Sequence, residues 1–215
     1  MNYQKIEQLS PEWWALKVGK ISGTRFGQLI STRENSLIDE CLNELLDGYI
    51  EPDDYENEDL LFGRENEKAA IDLYEQISGI TFAERGGVII SDYSSLSIAS
   101  PDAVNLDLGI VCEAKCTMHG KTQIKRFRKG IESDKLPQII NYFAQSDDVK
   151  QVHWISYCPF RTERPLVSYI FTPDTIVDEK KKTTIAELVV SGRTKLVEFE
   201  QELEKLKNEF ITIDF

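Results

Sequence analysis

Between Gly87 and Phe171 the chain carries five short β-branched runs, and on either side the apolar period lengthens to that of helices. The runs are Gly87–Ile90, Leu96–Ala99, Gly109–Lys115, Val152–Cys158 and Leu166–Phe171, bounded by Gly, Pro, Asn and Asp, the composition of strands. A helical stretch, Leu136 to Phe143, separates the third run from the fourth. Strands interleaved with and flanked by helices place the chain in the α/β class, and 215 residues allow one sizeable core, so a single domain over 1–215 is expected.

The flanks are amphipathic. Ser10-Pro11-Glu12 reads as an N-cap, a proline at the first helical position and an early acid, and Ser22-Gly23-Thr24 opens a second short helix whose free N–H groups could face an anion. Ser36 to Tyr49 places Leu37, Ile38, Cys41, Leu42, Leu45 and Leu46 at helical spacing, which assigns its acids to a solvated face, and Glu51–Asp54 reads as a loop. A longer helix is predicted over Asp59–Ser78 with Leu60, Leu61, Ala69, Ala70, Leu73, Tyr74 and Ile77 as its stripe. From about 174 to 210 the pattern predicts one or two amphipathic helices.

The net charge of −12 argues at first against a nucleic-acid partner, because phosphate backbones reward basic surfaces. The charge is not spread evenly. Glu34 to Asp59, an acidic helical insertion, holds 11 acids and no base, so the remainder carries only −1, and Lys115 to Lys129 holds six cations and no acid. No apolar run is long enough to span a membrane and no signal-peptide layout opens the chain, so a cytoplasmic location is expected. The four cysteines, Cys41, Cys112, Cys116 and Cys158, lack the spacing of a zinc site and read as reduced thiols.

The chemistry concentrates in Ser100-Pro101-Asp102 followed, after ten residues, by Glu113-Ala114-Lys115. On a strand Glu113 and Lys115 share a face while Ala114 turns to the other, and a turn through Asn105–Gly109 folds Asp102 back beside them. Two carboxylates and an ammonium in one volume suit Mg²⁺ and phosphoryl chemistry, with the lysine orienting or deprotonating water or neutralising charge at phosphorus.

Four blocks in order resemble the lambda exonuclease or YqaJ-like viral recombinase family of the PD-(D/E)xK nuclease superfamily, from Ser10 to about Pro159. They are Glu12–Thr24, with its tryptophan, basic residue, glycine and "I-T-A-S"-like end; Gly63–Ala70, like "G-x-x-x-E-x-x-A"; the Asp102…Glu113-Ala114-Lys115-Cys116 core; and Leu136–Tyr142, like a glutamine-bearing helix. The resemblance implies a restriction-endonuclease-like core, a central mixed β-sheet flanked by helices. It further implies that Asp102, Glu113 and the Ala114 carbonyl hold metal, that Lys115 positions water, that Glu67 completes a second metal site and that Gln138 supports it. By the same resemblance Lys17, Thr24 and Ser100 grip a 5′-phosphate and Lys121 faces DNA; the neighbouring Lys125, Arg126 and Arg128 extend that basic run. Lys17 stands where a relative in the family has an arginine, Thr117 where proline is common, and the Gln138 helix lacks a second glutamine.

The activity so implied is a Mg²⁺-dependent 5′→3′ exonuclease on double-stranded DNA, of phage recombination type, with two ions per site and Mn²⁺ as an alternative. It would release 5′-mononucleotides and leave a 3′ overhang for a single-strand annealing protein. A homo-oligomer, a trimeric ring, is the implied assembly. The competing readings are a restriction- or repair-type endonuclease on the same core and a non-catalytic DNA-binding module.

Overall fold

The computed structural model describes residues 1–31, 36–50 and 57–212. The expected loop over 51–54 and part of the acidic insertion lie outside the described residues.

The spine is a five-stranded mixed sheet in the order β2-β5-β6-β7-β8, formed by β2 (Glu84–Arg85), β5 (Ala103–Asn105), β6 (Ile110–Cys116), β7 (Gln151–Tyr157) and β8 (Leu166–Phe171). β5 and β6 are an antiparallel hairpin, whereas β6 and β7 run parallel from Ile110↔Gln151 to Cys116↔Tyr157. A parallel pair needs a long crossover. It is supplied by α5 (Gly120–Lys129), a 3-10 turn at Ser133–Lys135 and α6 (Leu136–Gln145). A second sheet joins β1 (Asn2–Gln4), β3 (Val88–Ile90) and β4 (Ile98–Ala99); β1 and β2 carry no strand signal of their own in the sequence.

The main sheet buries both faces, and alternation along β6 divides them. Val111 joins Val152 and Trp154 in a core roofed by α2 (Gly23–Ile30), α3 (Leu37–Asp47), α6 and α7 (Ile185–Ile211). Cys112 and Ala114 join Ile110, Ala103 and Ile155 on the other face, under Ala70, Ile71 and Tyr74 of α4 (Glu58–Ser78). The short helix α1 (Pro11–Lys17) seats Trp13 against Val88 and Ile98, while Trp14 remains exposed. Ser10 caps α1 by accepting from the Trp13 N–H.

Three expectations are corrected. The buried stripe of α4 is Ala70, Ile71 and Tyr74; Leu60, Leu61, Ala69 and Ile77 are exposed, so the helix is rotated from the sequence-based face. On α3 the acids are not all solvated: Glu44 is buried, pairs with Arg25 through both carboxylate oxygens and accepts the Gly19 N–H at 2.9 Å. Ahead of the C-terminal helix, β9 (Ile176–Asp178) and β10 (Thr183–Thr184) form a small ribbon, and α7 then runs as one helix, started by a Thr184–Glu187 capping box. Gly192 lets α7 approach α2, since a Cβ there would lie 2.6 Å from the Phe26 ring.

Candidate active site

The β5–β6 hairpin assembles the first part of the site. Its register pairs Ala103 with Cys112, so one step further along the ladder Asp102 faces Glu113. Asp102 Oδ2 accepts the Ala114 N–H at 2.7 Å, fixing the carboxylate against the strand. The far end of β6 is held by Gly109, in the left-handed region at φ 65°, where a Cβ would sit 2.2 Å from the Asp148 carbonyl oxygen.

Glu113 is 1% exposed, on the strand face opposite Ala114 as the period of two demands. One carboxylate oxygen bonds Lys115 Nζ and the other accepts from the Tyr142 hydroxyl. Lys115 keeps 31% of its side chain exposed and so presents an ammonium to solvent or substrate. Glu67 lies one turn ahead of Ala70 and Ile71 on the inward face of α4, and with Asp102 it lines a cleft of about 420 Å³ that also includes Arg64, Lys68, Asp72 and Arg85.

The electrostatics are those of acids in excess over cations. Burial, then Glu113 and Glu67, push Asp102 well above the ordinary carboxylate range. Burial and Glu113 also raise Glu67, against the opposing pull of Lys115 and Arg85. Burial alone would depress Lys115, but Glu113 and Asp102 outweigh it and hold the ammonium form. Asp102 and Glu67, both raised, packed with Glu113 beside one ammonium, are a donor set that a divalent cation relieves. Among the described residues no three His, Cys, Asp or Glu side chains form a ready metal cage. Mg²⁺ takes few protein ligands and completes its shell with water and phosphate oxygens. Asp102, Glu113 and the Ala114 carbonyl are the groups that could hold it, with Glu67 beside them.

A second pocket, about 140 Å³, lies next to the cluster and is lined by Lys17, Ser22, Gly23, Thr24, Ala99, Ser100, Gln138, Asn141 and Tyr142. Lys17, Thr24 and Ser100 thus come together, although they arise from α1, α2 and the segment after β4. The Ser100 hydroxyl is buried without a hydrogen-bond partner, and Ser22 caps α2 without a side-chain bond, leaving the first-turn N–H groups facing outward from that helix end. Gly23 keeps the floor open: a Cβ there would meet Gln138 Cγ at 3.0 Å. Lys17 Nζ lies 3.9 Å from the Trp13 ring centroid, and burial, then Arg25, lower its pKa to about 8, with Glu44 opposing. A cation, a partnerless hydroxyl and a helix N-terminus make an anion pocket.

Gln138 lines this pocket and reaches the carboxylates through Tyr142. Its Nε2 donates to Tyr142 Oη at 3.4 Å, and that hydroxyl, 3.2 Å from the Ser100 carbonyl oxygen, donates to Glu113. Tyr142 therefore joins the anion pocket to the carboxylate cluster, a role the sequence reading missed. The available signal was its i+4 spacing from Gln138, which puts both on one face of α6.

On α5, Lys121, Lys125 and Arg128 are exposed, as a DNA-facing role requires. Arg126 is not available for one. It is buried, bonded to Glu132 at 3.0 Å, to Ser156 Oγ at 2.9 Å and to the Lys115 carbonyl at 3.2 Å, with its guanidinium 5.3 Å from the Trp154 ring. The α5 positions 123 and 126 turn toward the sheet, and a cation placed there by helical period must find partners inside. His119 is exposed near Asp59, and His153 is buried against the Tyr74 hydroxyl at 2.8 Å, with burial lowering its pKa to about 4. All four cysteines are free thiols. Among the described residues no helix is long and apolar enough to cross a membrane.

The fold is that of solved exonucleases. The alkaline exonuclease LHK-Exo of Laribacter hongkongensis superposes with a TM-score of 0.75 at 22% identity, covering 95% of this chain and 100% of that one. Its complex with dAMP superposes at 0.73 and 20% identity with the same coverage. A phage-related exonuclease from Haemophilus somnus 129PT gives 0.53 at 14% identity, over 87% of this chain and 96% of that one. No curated protein matches the chain in sequence. A family model, the YqaJ-like viral recombinase domain, matches residues 12–148. That match spans α1, the anion pocket, Glu67 and the Asp102–Lys115 hairpin, and by it the chain belongs to the YqaJ-like viral recombinase domain family.

Proposed function

We propose that the chain is a metal-dependent 5′→3′ exonuclease that digests double-stranded DNA from its ends, releases 5′-mononucleotides and leaves a 3′ overhang. One observation carries this reading: an anion pocket shares Ser100 and Tyr142 with the structure that holds Asp102 and Glu113. A terminal 5′-phosphate seated there would set the register of the next phosphodiester at the carboxylates. The dAMP held by the LHK-Exo relative is a mononucleotide of the kind such a reaction releases. Oligomerisation, with a trimer as the form, transfer of the overhang to a single-strand annealing protein and action in the cytoplasm of a bacterium or infected cell belong to the same reading.

Mg²⁺, or Mn²⁺ in its place, would be held by Asp102, Glu113 and the Ala114 carbonyl, with Glu67 at a second ion. When bound it supplies Lewis acidity at a phosphate oxygen and makes water more acidic. The chain's own groups do the rest. Lys17, Thr24, Ser100 and the first turn of α2 grip the terminal phosphate. Lys115 orients the attacking water and offsets charge growing on the phosphoryl oxygens, and Tyr142 holds the Glu113 carboxylate in place.

The direct test is digestion of linear duplex bearing a 5′-phosphate or a 5′-hydroxyl, beside a covalently closed circle. Mononucleotide release from the phosphorylated end with the circle spared is expected. Cutting of the circle would transfer the site to the endonuclease reading.

Two further results are expected from the pocket. Because Lys17 titrates near pH 8, its ammonium is present below that pH and lost above it. The 5′-phosphate preference in kcat/KM should therefore decline between pH 7 and 9, and a Lys17→Arg variant, which does not titrate there, should give a flat profile. Tyr142→Phe keeps the ring and removes the hydroxyl. It should lower kcat about tenfold and shrink the 5′-phosphate preference, with KM for duplex changing less.

A further inference from the structure

α5 and the β7–β8 loop enclose a cleft of about 220 Å³ lined by Gln123, Ile124, Phe127, Arg161, Arg164 and Val167, and by one acid, Glu163. Its floor is apolar and open: Ile124 is 43% exposed and Phe127 51%. Cations flank it on both sides. Lys121 and Arg128 crest the solvent face of α5, and Arg161 and Arg164 stand across from them, with the Arg164 guanidinium 4.2 Å from the Phe127 ring centroid. The walls are fixed from below, since Gln123 Nε2 donates to the Pro165 carbonyl at 3.0 Å and Arg161 to the Gly120 carbonyl at 3.3 Å. In a chain of net charge −12 this is a local reversal of sign beside an exposed aromatic ring.

We infer that this cleft binds single-stranded DNA, with bases on the Phe127–Ile124 floor and phosphates along the two rows of cations. A duplex presents only its backbone to such a groove, whereas an unpaired strand offers base faces that stack on an aromatic ring and on a guanidinium. The apolar floor would be unused by a duplex and is matched by a single strand. The inference rests on the nuclease reading for the source of that strand, the one left undigested; the cleft begins on the helix that directly follows Lys115 and Cys116.

The test is fluorescence anisotropy of a labelled oligothymidylate with the full-length protein in EDTA, where no cleavage occurs, across a salt series. Phe127→Ala and Phe127→Leu should each weaken binding about tenfold, because leucine restores bulk but no stacking face. Arg164→Gln should flatten the log Kd against log salt slope by about 0.7. These side chains are exposed or at the cleft rim, and unchanged thermal melting shows that the variants are folded. Wild-type affinity in both Phe127 variants overturns the inference, as does full affinity in Phe127→Leu alone, or a cleft that takes up an acidic protein and no oligothymidylate. Binding lost with digestion of duplex retained in the wild type sinks the cleft alone; binding retained with no digestion sinks the nuclease reading alone.

Discussion

Lys115→Ala and Asp102→Asn should each reduce duplex digestion by about 10²–10³-fold or more, with opposite effects on the stability of the protein in chelator. Lys115 is the cation bonded to Glu113 and the one that opposes the mutual repulsion of Glu67, Asp102 and Glu113. Its removal leaves three acids facing each other, and melting in EDTA should fall. Asp102→Asn removes one of those acids and keeps a polar side chain that can accept the Ala114 N–H, so melting in EDTA should rise. The sign with pH follows from linkage. Asp102 ionises less readily folded than unfolded, so the folded state holds the extra proton, and its ionic penalty grows as pH rises through the raised pKa. The gain from Asp102→Asn should therefore be largest at neutral pH and shrink as pH is lowered toward the ordinary carboxylate range. Added Mg²⁺ or Mn²⁺ should raise the melting temperature of the wild type and leave the Asp102→Asn variant almost unmoved, because only the former keeps the donor pair. Equal metal-induced shifts in both proteins would remove Asp102 from the binding set.

Arg126→Ala should destabilise the fold by about 3 kcal/mol, a fall of about 6–12 °C in melting temperature, whereas Lys125→Ala and Arg128→Ala should leave melting within a degree or two. Three polar groups lose their donor together: Glu132, Ser156 Oγ and the Lys115 carbonyl. Ser156 lies within β7, directly opposite Lys115 in the parallel register, so the guanidinium ties the two strands beside the candidate site. The exposed variants should behave in the reverse way. They should weaken duplex binding and reduce its salt dependence by about one counterion each while leaving the fold intact. Thermal melting and salt-dependent binding on the same three proteins separate a structural cation from two surface ones.

The hairpin of the candidate site was legible in the sequence because its parts are local. Asp102, the Asn105–Gly109 turn and Glu113-Ala114-Lys115 lie within 14 residues, and strand alternation fixes which side chains share a face. The helix start at Ser22–Thr24 was legible as an anion-facing end, but the rest of the anion pocket was legible only through the family resemblance, since Lys17, Thr24 and Ser100 meet by tertiary packing that no periodicity encodes. What escaped has a common physical origin. Glu44 and Arg126 are charged residues whose partners, Arg25 and the Glu132–Ser156–Lys115 group, come from other elements, and composition alone assigns such residues to solvent. On α4 the expected stripe held Ala70 and Tyr74, but it also took in the exposed Leu60, Leu61, Ala69 and Ile77 and left out the buried Ile71. The small alanine that lets the helix lie close to β6 weighs little in a hydrophobicity count.

The parallel pairing of β6 with β7 also orders events during synthesis. The Asp102–Glu113 hairpin can close as soon as Cys116 has left the ribosome, but Arg126, Tyr142 and the β7 partner strand are made later and must come round through the crossover. Long-range parallel pairing is slow. A nascent chain therefore carries Asp102 and Glu113 before it carries the Tyr142 that bonds Glu113 and the Arg126 that bonds the Lys115 carbonyl.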